Sequence, residues 1–177
     1  MNIFFLDENP QLAAEAHHDK HVIKMILETA QLLSTAHRVL DGVQYIDQST
    51  GRKITRWKMN DQYMEEQLYK ATHVNHPSNI WVRASKENYQ WLYCLFVSLC
   101  NEYTHRYGKI HATCIKLGKI LGKIPSNIAS NGLTKMPQAM PDEYKDLDSV
   151  QAYRNYYIGS KKQQSKYTKR DVPGWFI

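Results

Sequence analysis

Residues 73–108, HVNHPSNIWVRASKENYQWLYCLFVSLCNEYTHRYG, constrain the fold more than any other stretch. Helical spacing runs through them, Pro77 suits a first turn, and Gly108 suits a C-terminal stop. Within them, YCLFVSLC is apolar nearly all round the helix. Such a helix must be covered on every side, so it belongs at the centre with other helices packed around it. Those helices are readable. Asp7 or Asn9 with Pro10 opens one at about residue 10, and its periodicity lasts to about Leu40, where Asp41–Gly42 stops it. A polar amphipathic piece spans about 61–71, a short helix about 111–121, and helical spacing returns over 147–164. VQYIDQSTGRKITRW, from Val43, reads as two extended pieces around a turn at Ser49–Gly51. The Pro-, Asn- and Gly-rich run from Lys123 to Tyr144 reads as an ordered loop. No repeat or linker divides the chain. The expectation is a mainly α, compact single-domain fold over residues 1–177 with at most a small β-hairpin.

At 177 residues, 42% hydrophobic and 23% charged, the chain has the composition of a soluble globular domain with a real core. No apolar run approaches the ~20 residues of a membrane helix, so no membrane partner is expected. The start, MNIFFLDENP, lacks the basic lead-in and apolar length of a secretory signal. Cys94, Cys100 and Cys114 form no CxxC pair, and their odd count reads as reduced thiols in a cytoplasmic protein. A net charge of +6, twelve tyrosines and four tryptophans favour an anionic partner with faces to stack on, which points to nucleic acid.

The strongest local signal lies on the first helix. His17, His21, Lys24, Glu28 and Thr35 share one side at helical spacing, with Lys20 and Gln31 at its margin. Val22, Met25, Ile26, Ala30 and Leu33 take the other side. The plain reading is a solvated cationic surface on which Glu28 pairs with Lys24 one turn earlier. The functional reading is a carboxylate held among cations that face phosphates, able to move protons at a sugar or an imine. His17 and His21 also have metal-ligand spacing, with His37, His73 or His76 as a third ligand. His18–Asp19 is a bare HD pair, the alternative being a metal-dependent phosphohydrolase. Elsewhere, Arg52, Lys53 and Arg56 stand on a turn with Trp57 behind them, a phosphate-gripping loop in outline. His73 and His76 flank the start of the long helix, whose free N–H groups suit a phosphate. Arg83, Lys169 and Arg170 are further candidate DNA contacts, the last two in the basic, aromatic tail YTKRDVPGWFI.

Taken in order, these pieces resemble the phage pyrimidine-dimer DNA glycosylases, the endonuclease V family. Six residues separate His21 from Glu28, as they separate a histidine from the catalytic glutamate there. GRKITRW follows as the basic turn, then a long helix that a His-containing loop opens and an Arg and a Gly close. PQAMPDEYKDLDS, Pro137 to Ser149, matches a proline–glutamine pair followed at fixed spacing by an acid–tyrosine pair. The resemblance implies a helical domain that kinks double-stranded DNA and flips out a nucleotide, with no cofactor. It implies base removal by an amine attacking C1′, then strand cleavage from the imine, with Glu28 as the essential carboxylate and Lys161 on a phosphate. A phage-infected host cell would be its setting. Two departures stand out. Leu27 and Gln31 occupy places where the family has arginines, and bulky Asn2 would keep Met1 on the chain. The nucleophile is therefore open between Met1, Lys20 and Lys24, with His21 polarising the sugar or a phosphate. A DNA- or nucleotide-binding phage protein without chemistry, such as a counter-defence factor, is the other reading.

Overall fold

The computed structural model describes residues 1–176; Ile177, the last residue of the tail motif, lies outside them. It is mainly α, with seven α-helices and one two-stranded antiparallel sheet among the described residues. In chain order these are α1 (Pro10–Glu15), α2 (Asp19–Asp41), β1 (Val43–Asp47), β2 (Ile54–Lys58), α3 (Gln62–Gln67), α4 (Pro77–Ala84), α5 (Lys86–Tyr107), α6 (Ala112–Leu121) and α7 (Ser149–Lys161). No described helix is long and apolar enough to cross a membrane.

The centre is the pairing of α2 with α5, as the apolar stretch of α5 leads one to expect, but α5 is not covered on every side, because Cys94 within that stretch is exposed. Leu92, Leu95, Phe96 and Leu99 of α5 are fully buried, and so are Ile26, Leu32, Leu33 and Ala36 of α2. Caps mark most boundaries. Asn9 accepts from Gln11 N–H ahead of Pro10, Asp61 caps α3, and Gly108 closes α5 in the left-handed conformation at φ 65°.

Three expectations need correction. The helix expected from about 10 to 40 is two, because Ala16–His18 break it. Long-range bonds hold that break open: Asp19 N–H donates to Lys166 O (2.8 Å) and His18 N–H to the Tyr157 hydroxyl (3.1 Å). His17 is thus not on a helix face at all. The helix expected through 73–108 is also two, because Ser85 leaves α4 to cap α5 and donates its hydroxyl to Gly132 O. Finally, Cys100 and Cys114 form a disulfide, with Cα atoms 6.2 Å apart, and Cys94 alone stays free. They stand on α5 and α6 on either side of a short reversal. The turn brings them together, which a spacing of fourteen residues does not reveal.

Candidate functional site

Glu28 sits halfway along α2, where residues 2–6 pass over the helix. Ile3, Phe4 and Leu6 are buried there and fasten this lead to the core. Its first link is polar: Asn2 N–H donates to Glu28 Oε2 at 3.2 Å. The Asn2 side chain holds that link in place. Its Oδ1 accepts from the Tyr153 hydroxyl of α7 (3.0 Å) and from Ser78 of α4 (3.4 Å), and its amide donates to Ala139 O (2.8 Å). One asparagine therefore joins α2, α4, α7 and the long loop beside one carboxylate. Glu28 is 14% exposed and also meets Lys24 Nζ at 3.2 Å, while Lys24 itself is 64% exposed.

His76 completes this end of the site. It caps α4 by accepting from Ser78 N–H (3.2 Å). Burial lowers its pKa, the residue-1 ammonium lowers it further, and Glu28 opposes both, so the terminal amine and Glu28 act on one imidazole. His73 next to it is exposed, with a left-handed backbone at φ 48° and Nδ1 2.8 Å from the Thr72 hydroxyl.

Towards the N-terminus of α2 the polar face turns inward. His17, His18 and His21 are all buried, with Phe4 4.5 Å from His21 and His18 4.2 Å from it, ring to ring. Burial pushes His17 and His18 down to about 4 and His21 to about 2, the neighbouring imidazoles and lysines adding to it. All three are neutral at pH 7. His21 is therefore an aromatic filler under Phe4, with an unpartnered Nδ1, and carries no cation toward a sugar. The lysines supply the charge instead. Lys20 and Lys161 act electrostatically on His18, and Lys24 and Lys161 on His21. Lys161 also lies 5.5 Å over the Tyr156 ring, which stacks on Phe4.

The structure thus brings the residue-1 amine, Glu28 and His76 to one end of the face and sets Lys20 and Lys161 near the buried imidazoles at the other, with Lys24 pairing Glu28 between them. Other candidates are placed elsewhere. Arg52 and Lys53 are exposed at the hairpin tip, and Arg56 faces Asp47 at 3.7 Å. The Trp57 carbonyl accepts from Arg38 at the hairpin base. Arg83 donates to Val74 O, Lys169 to His105 O, and Arg170 grips Glu102 and Glu15. His37 meets the Tyr89 hydroxyl, away from the other imidazoles. Among the described residues no three His, Cys, Asp or Glu side chains come together to hold a metal ion. Asp19 of the HD pair is taken by Arg106 and Thr168. The metal-dependent alternative thus has no ligand set among these residues. Nothing in the sequence marks Asn2, Ser78 and Tyr153 as site residues, because the bonds that join them span 76 to 151 residues of chain. No protein-family model, curated protein or solved structure matches the chain.

Proposed function

We propose that this chain acts on duplex DNA as a base-removing glycosylase with abasic-site lyase chemistry. The observation that carries the reading is the Asn2 N–H···Glu28 bond, which sets the residue-1 amine one residue away from a half-buried carboxylate that also pairs with Lys24. The amine lone pair forms a bond to C1′ as the C1′–N bond breaks and the base leaves with the electron pair and a proton. Ring opening at O4′ gives the imine. Loss of a C2′ proton then expels the 3′ phosphate, and water releases the amine. Glu28 takes and returns the protons at the sugar, while Lys24 and Lys161 hold the flanking phosphates. As classes, α-amines lose their proton some two to three pH units below lysine side chains, which favours the terminal amine over Lys20 or Lys24.

Borohydride added to the protein on abasic-site duplex should trap an adduct that peptide mapping places on residue 1. An adduct on Lys20 or Lys24 reassigns the nucleophile. No adduct and intact DNA on every damaged or modified duplex would overturn the chemistry, and retained affinity would then leave a DNA-binding protein without turnover. Glu28→Gln keeps an oxygen for Asn2 N–H, so it should abolish turnover while DNA affinity stays within a few-fold.

A further inference from the structure

The hairpin of β1 and β2 is absent from the site just described, yet it is built to meet something. Its strands pair Val43 with Lys58, Tyr45 with Arg56 and Asp47 with Ile54 on one face. On that face Val43 and Tyr45 stand across from Lys58 and Arg56, and Asp47, 3.7 Å from Arg56, closes its far end. Val43 is 58% exposed, Tyr45 48% and Ile46, on the opposite face, 51%. A two-stranded ribbon is marginal alone, and apolar side chains exposed on both faces are a hazard unless a partner covers them. The base is rigid by contrast. Arg38 donates to Trp57 O (3.0 Å), and any Cβ at Gly42 would collide with the Arg38 carbonyl oxygen, so the chain can turn off the helix there only at a glycine. A shallow cavity of about 390 Å³ between Val43, Tyr45, Lys58, Met59 and Asn60 opens at that base.

Charge selects the partner. From Val43 to Lys58 there are four cations, Arg52, Lys53, Arg56 and Lys58, against the single carboxylate of Asp47. Arg52, Lys53 and Lys58 are exposed. Geometry selects the surface of that partner. A two-stranded ribbon enters a B-form major groove about 12 Å wide, whereas the minor groove, about 6 Å wide, is too narrow for two strands. Position links the ribbon to the site. Gly42 lies fourteen residues beyond Glu28, close to four helical turns, so the hairpin leaves α2 from the Glu28 side about 21 Å away. That distance is about six base pairs of B-form duplex.

We infer that residues 43–58 are a duplex-reading arm that lies in the major groove about six base pairs from the nucleotide at Glu28, its cations on phosphates and Tyr45 on base edges. The inference rests on duplex DNA being the substrate. Hydrogen exchange on the full chain, with a 25-base-pair duplex and with a single strand of equal length, tests it. Amides of 43–58 should slow with the duplex and not with the single strand. Arg52→Gln with Lys53→Gln should lower the slope of log affinity against log salt by about two units, at ~0.9 per phosphate. Tyr45→Thr, which keeps a strand-forming residue, should weaken duplex binding at an unchanged slope. Protection by duplex confined to α2 and α7 would overturn the arm while leaving the proposed activity. Equal protection by the single strand would overturn groove reading. No duplex binding by any measure would overturn both.

Discussion

Three imidazoles in one apolar pocket make the histidines, at the scale of residues, the groups most sensitive to solution conditions. An imidazole ordinarily titrates near 6.5, but burial holds His17 and His18 to about 4 and His21 to about 2 in the folded chain. His37 is depressed by burial in the same sense. Below pH 6.5 the unfolded chain takes up protons that the folded chain refuses. Stability is therefore complete above about pH 7 and falls as pH drops through the window from 6.5 toward 4, by up to about 1.4 kcal/mol per pH unit for each neutral imidazole. Urea unfolding at pH 7.5, 6.5 and 5.5 should show this loss, and His17→Gln should make it shallower. A flat profile would mean that the imidazoles are charged or solvated. The sequence pattern grouped His17 and His21 on a polar face. It could not show that residues 2–6 and Tyr157, far away in sequence, close over that face.

The elements were legible where their ends are local. Asn9–Pro10, Asp61, His76–Pro77 and Gly108 act through bonds to residues within a turn, so the sequence carries them. The breaks at 16–18 and at Ser85 depend on Lys166, Tyr157 and Gly132, and no window along the chain contains both partners. Arg38 shows the same non-local logic with larger consequences. Buried near the end of α2, it donates to Tyr69 O, Trp57 O, Glu65 O, Leu68 O and the Glu65 carboxylate (2.6 Å). That one guanidinium fixes the hairpin and α3 to the helix. Arg38→Gln leaves a carboxylate and several carbonyls short of donors, at a cost of about 3–5 kcal/mol. Urea unfolding should register the loss, and hydrogen exchange over 43–58 should speed up before the helices α2 and α5 loosen. A loss under about 1 kcal/mol would show that water replaces the guanidinium and that the hairpin holds itself.

For the whole molecule, net charge said less than it promised, because Arg38 and Arg106 are buried and Arg83, Arg154 and Arg170 are tied to carbonyls or carboxylates. Arg106 is buried and donates to Glu102 (2.6 Å), Asp19 (2.9 Å) and Glu15 O (3.0 Å). Arg170 adds a second grip on Glu102, Thr168 binds Asp19 through both its backbone and its hydroxyl, and the Tyr167 hydroxyl donates to Ala16 O. This network ties the tail, expected to meet DNA, onto the α1–α2 break and α5. The tail then roofs the imidazole pocket, with Trp175 and Phe176 against Tyr157. The two arginines are not equivalent. Without Arg106, Asp19 and Glu102 would each lose a partner from which burial gives little relief, so Arg106→Met should cost about 3–5 kcal/mol. Arg170 is a third exposed, and its pairs are screened by solvent, so Arg170→Gln should cost about 1 kcal/mol or less. Urea unfolding of both variants decides between two architectures. A large gap between them places the anchor of the tail in the buried Arg106–Glu102 pair of α5. Equal losses would instead mean that the tail is held by its surface charge, in which case high salt should release it and expose Tyr157 and the histidines together.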